Sequence, residues 1–382
     1  MKTSGVERIL VTGGAGFIGS HTVDLLIKNG YQAIILDNLE PQVHGKQKSK
    51  PDYINKDATF LQHDIQDRNF LTKIVSEVDA IIHLAALVGV GQSMYQIERY
   101  INGNTKATAI LLDILAKKEH NIKKLIVASS MSIYGEGKYH CEKCQTEAYP
   151  DLRTEEQLRK RQWNQTCPNC KSILEPLPTD ENKPLKPTSI YAQSKRHQEE
   201  MCLLTGKTYS IPTIALRYFN VYGSRQSLSN PYTGACAIFT SRILNNNPPY
   251  IFEDGNQTRD FIHVKDIAQA NLNALEQNNA NYKAINIATG KPITIKKLAE
   301  TLTKLYNKPN LKPYISNQYR KGDIRHCYAD TTKAQKLLNF KPAVSLQEGL
   351  TELAEWAKTH DWGATDLFEK ALKELKEKQL AT

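Results

Sequence analysis

The string Thr12-Gly13-Gly14-Ala15-Gly16-Phe17-Ile18-Gly19 sits between an apolar run, Arg8-Ile9-Leu10-Val11-Thr12, and an apolar-periodic stretch. That junction constrains the fold more than any other part of the chain. A short continuous apolar run reads as a buried parallel strand, Gly19 to Asn29 as a helix, and Tyr31 to Asp37 as the next strand, ending in an acid. Strand, glycine-rich turn, helix and acid-terminated strand together form a dinucleotide-binding unit. Gly13 allows the tight turn, Gly16 lets backbone approach a pyrophosphate, and Gly19 lets helix and strand pack closely. Asp37 accepts hydrogen bonds from an adenosine ribose, which favours NAD over its 2′-phosphorylated form because two negative charges would otherwise meet there.

The alternation continues. Phe60 to His63, Ala80 to Leu84 and Lys124 to Ser129 read as strands, and Asn104 to Lys117 as an amphipathic helix between the last two. Repeated strand and helix units imply an α/β fold with a doubly wound parallel sheet of the Rossmann type. Beyond Tyr209 the pattern turns to shorter strands, prolines and isolated helices, among them Ile295 to Tyr306 and Leu346 to Lys358. The expected division is a nucleotide-binding domain over 1–215 and a smaller mixed substrate domain over 216–382. The second closes over the carboxyl edge of the sheet, and some of its segments return to that sheet.

With 382 residues and 40% apolar content the chain can bury a sizeable core. Its net charge of +10 comes from scattered lysines. The one cluster, Lys370 to Lys378, alternates with glutamate and apolar residues as a solvated helix face does. Nothing forms a basic stripe interleaved with aromatics, so nucleic acid is not an expected partner. The polar stretch from Met1 to Arg8 lacks the hydrophobic region of a signal peptide, and no run approaches the ~18 apolar residues of a membrane span. No membrane association and a cytoplasmic location are expected.

Tyr191-Ala192-Gln193-Ser194-Lys195 sets a tyrosine one helical turn before a lysine. A phenol with a pKa near ~10 is a poor base at neutral pH, and lowering it by about three units takes roughly 4 kcal/mol of anion stabilisation. The lysine supplies part, and the charge of a bound oxidised nicotinamide supplies more.

Together with Asp37-Asn38, Asp64-Ile65, His83-Leu84-Ala85-Ala86, Ser129-Ser130, Arg217-Tyr218-Phe219-Asn220, Arg259-Asp260-Phe261 and Gly322-Asp323, these strings resemble the extended short-chain dehydrogenase/reductase family, in the branch that modifies nucleotide sugars. The resemblance covers nearly the whole chain. It implies NAD as cofactor and a nucleotide-diphosphate sugar as substrate. Gly13 to Gly19, with Phe17 and Ile18, would then cradle the pyrophosphate side, with Asp37 and Asn38 at the ribose. Asp64 and Ile65 would flank the adenine, Leu84, Ala85 and Ala86 would line the dinucleotide, and Asn104 would stand near the cofactor cleft. Ser130 would hydrogen-bond the sugar oxygen at the reacting carbon, Tyr191 would be the base, and Lys195 would hold the nicotinamide ribose. Met131 would lie beside the sugar, and Asn220, Arg259, Arg320 and Asp323 would hold its diphosphate. Guanidinium groups suit a diphosphate because they donate in bidentate pairs. His83 and His263 sit in apolar stretches and read as structural. The resemblance also implies a homodimer, paired through the helices that begin near Asn104 and Tyr191.

Dehydratases and decarboxylases of this family carry acids just after the loop serine or threonine. Here those places are Met131 and Ser132, and methionine cannot shuttle a proton. Epimerisation at C4, by oxidation and re-reduction, is the simplest chemistry left. Glu136, in Gly135-Glu136-Gly137, is the one alternative acid. The strings Asp37 to His44, Val88 to Tyr95 and Gly322 to Cys327 look most like a subgroup that includes dTDP-L-rhamnose 4-epimerases, while UDP-hexose 4-epimerases share the same catalytic parts. A 4-keto-sugar reductase that releases its cofactor is a further alternative, against which Asp37 argues.

Cys141-x-x-Cys144 and Cys167-x-x-Cys170 lie between Ser130 and Tyr191, where the family has a much shorter connection. Two such knuckles suit structural zinc in a ribbon-like insertion over 138–176, and a four-sulfur set leaves no open position for catalysis. A redox dithiol or disulfide pair is the alternative. The charged stretch Asp151 to Gln162 reads as a small helix. So placed, the insertion is expected at the substrate mouth, shaping the sugar pocket or a subunit contact. Cys202, Cys236 and Cys327 follow no pattern and read as packing residues.

Overall fold

Successive residues of the first strand feed opposite sides of one sheet. Ile9 and Val11 enter one apolar cluster and Leu10 the other, and Ala33 and Ile35 against Ile34 and Leu36 repeat the split on the second strand. A strand covered on both faces is apolar at every position, which is why these runs show no polar alternation. The computed structural model describes residues 5–45, 49–117, 119–359 and 365–382, so part of the polar N-terminal stretch lies outside the described residues. Its strands are β1 (Arg8–Thr12), β2 (Gln32–Asp37), β3 (Thr59–Gln62), β4 (Ala80–His83), β5 (Lys124–Ser130), β6 (Thr213–Tyr218) and β7 (Lys283–Ile287). They pair in parallel in the order β7-β6-β5-β4-β1-β2-β3. The order reverses between β1 and β4, which opens a crevice beyond their carboxyl ends.

Helices α1 (Phe17–Lys28), α2 (Arg68–Ser76), α3 (Ala107–Ala116), α4 (Ile190–Thr208) and α5 (Val264–Glu276) cover the sheet, the first and last on one face and the middle three on the other. This is the doubly wound arrangement the alternation implied. Element ends move by a residue or two where a cap decides them, as at Ile295–Leu305, whose start is fixed by Thr294 accepting from Lys297 N.

Two features differ from the sequence reading. The helix expected from Asn104 starts earlier, with Ile97–Tyr100, and passes through a π-helical turn, Ile101–Lys106, before α3. Asn102, Asn104 and Thr105 interrupt the apolar period there and hide the continuity. Residue 215, the expected domain boundary, lies within the strand β6. Residues 264–287 then return as α5 and β7.

The second unit is built on a small mixed sheet of Asn220–Tyr222, Thr258–His263, Pro292–Thr294 and His326–Cys327, with helices Ala235–Leu244, Ile295–Leu305 and Leu346–Thr359 packed together beside it. A last helix, α6 (Phe368–Glu377), carries the lysine cluster outward and buries Phe368, Ala371, Leu372 and Leu375, spaced i, i+3, i+4 and i+7. The insertion forms an antiparallel sheet of Lys138–Cys141, Thr146–Ala148 and Glu175–Leu177, plus the short helix Glu155–Arg159.

One buried network fixes α4 to the sheet. Glu199 accepts from Arg217 Nη2 at 2.6 Å and from Ser129 Oγ at 2.6 Å, while Arg217 Nη1 donates to Tyr134 Oη at 2.8 Å. Glu199 and Arg217 are 2% and 5% exposed, so neither charge has water as an alternative partner. Replacing one member of such a pair costs about 3–5 kcal/mol because the other is left buried and unpaired. Glu199→Ala is therefore expected to lose a few kcal/mol in urea unfolding, and a loss near zero would contradict this account.

Candidate active site

Gly13 turns the chain at φ +69°, and its N–H donates to Leu36 O at 2.8 Å, so the turn leaves β1 directly over the end of β2. A side chain at Gly19 would collide with the Gly13 carbonyl, which explains the glycine on the first turn of α1. Asp37 ends β2, with its carboxylate accepting from Ala15 N at 3.1 Å and Leu39 N at 2.9 Å. Asn38 Nδ2 donates to Asp64 Oδ2 at 2.9 Å, so the two residues expected at opposite ends of an adenosine meet across one rim. The glycine cradle, the start of α1 and the acid on the next strand fit a dinucleotide.

Ser189 caps α4 by accepting from Ala192 N at 3.1 Å, and Ser93 Oγ accepts from Tyr191 N at 3.0 Å. Tyr191 thus stands on the first turn with its backbone held from two sides. The four-residue spacing puts Lys195 on the same helix face. Burial pushes the Tyr191 phenol up from its ordinary value, and a hydrogen bond with the Ser130 hydroxyl pulls it down. Burial brings Lys195 down to about 8, against the opposing pull of the Cys202 and Glu199 side chains. Its Nζ donates to Gln198 Oε1 at 2.8 Å. Ser130 ends β5, and its hydroxyl accepts from Ser132 N at 3.1 Å while standing 2.9 Å from Ser132 Oγ.

One cavity of about 850 Å³ brings the expected groups together. Its wall includes Gly13, Gly16, Phe17, Ile18, Gly19, Asp37, Asn38, Asp64, Ile65, Leu84, Ala85 and Ala86, together with Ser130, Met131, Tyr191 and Lys195, and with Asn220, Arg259, Arg320 and Asp323. Asn104 is not among the lining residues. It is fully buried behind the wall, where Oδ1 accepts from Leu87 N at 2.7 Å and Nδ2 donates to Ser194 Oγ at 2.9 Å, so it ties the wall to α4.

Asn220 Oδ1 on the cavity wall is buried and has no hydrogen-bond partner among the described residues, which is the condition of a group that meets a ligand. Arg320 Nε donates to Asp323 Oδ2 at 2.8 Å, and its guanidinium lies 4.7 Å from the Phe252 ring centroid. Arg259 commits Nη1 and Nη2 to the carbonyls of Thr258, Arg325 and Ile324, so it buckles the loop that carries Asp323.

The histidines are structural. His83 Nδ1 lies 2.8 Å from Thr12 Oγ1 and Nε2 lies 2.9 Å from Thr108 Oγ1, and burial lowers its pKa to about 3. Burial lowers His263 to about 4, with Glu352 opposing at 3.7 Å. Glu136 turns away from the cavity and accepts from Tyr139 Oη at 2.7 Å and from the backbone N–H of Arg325. Its carboxylate braces the insertion against the segment at Arg325.

Sequence reasoning missed one wall of the cavity. Phe368, Leu372 and Leu375 of α6 line the cavity, as does Tyr232, whose hydroxyl donates to Glu374 at 2.5 Å. The apolar spacing of α6 was the available signal, but its lysines drew the reading to the solvated face. The four cysteine sulfurs converge outside the cavity, all within 4.8 Å of one another, with separations of 3.5 Å for Cys141–Cys170 and 3.8 Å for Cys144–Cys167. Tetrahedral zinc with bonds of ~2.3 Å sets sulfurs about 3.8 Å apart, so these thiols could hold such an ion.

Residues 9–288 match the NAD dependent epimerase/dehydratase family. The chain is 32% identical to dTDP-L-rhamnose 4-epimerase of Burkholderia thailandensis, over 92% of this chain and 94% of that one. It is 35% identical to a putative UDP-glucose 4-epimerase of Methanocaldococcus jannaschii, over 92% and 99%. Among solved structures, UDP-glucuronic acid 4-epimerase of Bacillus cereus in complex with UDP-glucuronic acid and NAD superposes with a TM-score of 0.73 at 28% identity, covering 92% of this chain and 99% of that one.

Lys195 yields a test free of any substrate. Its folded pKa of about 8 lies below the ordinary 10.5, so below pH 8 both folded and unfolded states carry the proton and the full penalty of a buried charge applies. That penalty is relieved as pH rises from 8 towards 10.5. Wild type is therefore expected to gain stability on Lys195→Met between pH 8 and 10, measured by urea unfolding. A pH-independent difference would show that Lys195 is not desolvated.

Proposed function

The chain belongs to the NAD-dependent epimerase/dehydratase family, and we propose that it interconverts the C4 epimers of a nucleotide-diphosphate sugar, with dTDP-L-rhamnose as the sugar and NAD as resident cofactor. The observation that carries this reading is the single cavity in which Ser130, Tyr191 and Lys195 stand between a dinucleotide cradle and a cationic end fit for a diphosphate. The Bacillus cereus relative, solved with NAD, supports the cofactor assignment.

The Gly13–Gly19 turn and Asp37 would hold NAD, which when bound would supply the hydride acceptor and donor for the sugar carbon. Tyr191 takes the C4 hydroxyl proton and gives it back, and the Ser130 hydroxyl orients the oxygen while the carbon is a ketone. Lys195, whose pKa burial lowers to about 8, still carries its proton at neutral pH, so it would hold the cofactor's ribose and favour the phenolate form of Tyr191. Arg320 and Asn220 keep the diphosphate fixed, so that only the keto-sugar rotates. Elimination of water needs an additional acid at the ring. Met131 cannot serve, and Glu136 is committed to Tyr139 and the Arg325 N–H, which favours epimerisation over dehydration.

A UDP-hexose is the second reading, favoured by the 35% identity to the Methanocaldococcus relative. A net 4-keto-sugar reductase is disfavoured by Asp37, which sits where a 2′-phosphate would. We further infer a zinc ion at the four cysteines, a homodimer paired through α3 and α4, and a cytoplasmic location. Leu204, 69% exposed on α4, supports the pairing face, and seven unpaired cysteines are in keeping with a reducing compartment.

Proton NMR of the NAD-loaded protein with dTDP-, UDP- and GDP-sugars tests the reading. A C4 epimer without net NADH is expected, first with dTDP-L-rhamnose. Tyr191→Phe is expected to lower turnover by roughly 10²–10⁴-fold while nucleotide binding is kept. A 4-keto product or stoichiometric NADH would move the protein to dehydration or net oxidoreduction.

A further inference from the structure

The insertion is too small to hold itself together. Its apolar cluster consists of Tyr139, Cys141, Cys167 and Leu174, with Cys144, Ala148 and Cys170 at the edge. A lobe with so little core depends on a cross-link or a metal for its shape. Yet it grips the substrate end of the cavity. Arg153 Nη1 donates to Trp163 O at 3.0 Å and to Glu253 Oε2 at 2.8 Å, and Nη2 donates to Asp323 O at 2.9 Å. Asn164 Oδ1 accepts from Arg325 Nη2 at 3.1 Å, while Arg325 Nη1 reaches Glu253 and Asp254. Glu155 pairs with Lys321 at 2.7 Å, and Leu158 and Trp163 pack on Tyr319.

The loop from Tyr319 to Cys327, which presents Arg320 and Asp323 to the cavity, is thus fastened carbonyl by carbonyl. Thr188 holds Gly322 O at 3.0 Å, Arg153 holds Asp323 O, and Arg259 holds Ile324 O and Arg325 O. The Arg153 and Glu253 side chains are 1% and 3% exposed, so this fastening is shielded from water and salt. Glu253 pays for its place with a left-handed backbone, φ +56°, a strain that persists only where its surroundings over-determine it.

We propose that the metal-closed insertion is a splint for the diphosphate end of the substrate, and that Arg153 is the positioning residue through which it acts. The splint sets the affinity for the nucleotide sugar and leaves the dinucleotide cradle untouched. The proposal rests on the nucleotide-sugar reading and on a zinc ion at Cys141, Cys144, Cys167 and Cys170.

The test uses the full chain loaded with NAD, as purified, stripped of zinc by a chelator and re-supplied with zinc, together with Arg153→Ala and Arg153→Lys. Zinc per chain is measured by elemental analysis, and hydrogen exchange is followed in residues 318–327 and 9–37. Affinity for dTDP and UDP is measured by calorimetry, and KM and kcat wherever turnover is found. About one zinc per chain is expected. Arg153→Ala and zinc removal should each speed exchange in 318–327 but not in 9–37. Each should weaken nucleoside diphosphate binding roughly tenfold or more, the scale of a lost charged hydrogen bond, with KM rising and kcat held within about twofold. Arg153→Lys should recover part of the affinity, and zinc return should restore it.

Metal-free protein with native affinity, or an Arg153→Ala protein whose loop exchange and affinity match wild type, would overturn the proposal. So would faster loop exchange without any change in nucleotide affinity. Failure of the epimerase reading looks different: no sugar is turned over by wild type, while the contrast in loop exchange and dTDP or UDP affinity still decides the role of the splint.

Discussion

Glu199 brings a full negative charge to the interior between α4 and the sheet, and much of the site depends on how that charge is satisfied. Arg217 at the end of β6 neutralises it, Ser129 at the end of β5 donates to it, and Tyr134 in the turn after Ser130 accepts from the same arginine. One carboxylate thereby sets the height of α4 against two strands. Tyr191 and Ser130 come from different elements, and the distance between them has no other buried ionic determinant among the described residues. A pair of this kind adds little net stability compared with an apolar packing, but it tolerates few alternative geometries.

The parts of the fold that were legible in the sequence are those with a local cause. Gly13 and Gly19 are needed where backbone meets backbone, and an unbroken apolar run such as Arg8 to Thr12 has few uses other than a strand covered on both faces. Tyr191 and Lys195 could be paired because a helix repeats within four residues. What stayed hidden depends on distant partners. Arg153 meets Glu253 and Asp323 across 100 and 170 residues, and nothing within its own segment marks it as more than a surface charge. Asn104 was placed near the cleft, but its amide closes on Leu87 and Ser194 because the buried backbone there needs both a donor and an acceptor.

The same network separates the carboxylates of the region into roles. Glu136 is 2% exposed and takes up backbone N–H groups of the 325–326 segment, so its loop braces the insertion. Asp323 stays on the cavity wall and faces Arg320. Met131 and Ser132 stand on the cavity wall beside Ser130, so a thioether and hydroxyls, with no carboxylate, follow that serine. The apolar face of α6 and the loop gripped by the insertion complete the wall of the same cavity.

The π-helical turn at Ile101–Lys106 has a consequence of phase. An α-helix advances about 100° per residue, so one extra residue in a turn rotates everything before it relative to everything after. Upstream, Arg99 reaches Glu40 on the cavity wall and Tyr100 reaches Gln92 in the interior. Within the turn Asn104 serves Leu87, and downstream of it Thr108 accepts from Gln198 of α4. A regular helix could aim at only one of these two sets. The chain keeps both by spending a residue on a dislocation, and a single deletion within it would leave the helix longer-ranged and more regular while pointing half of its side chains at the wrong neighbours.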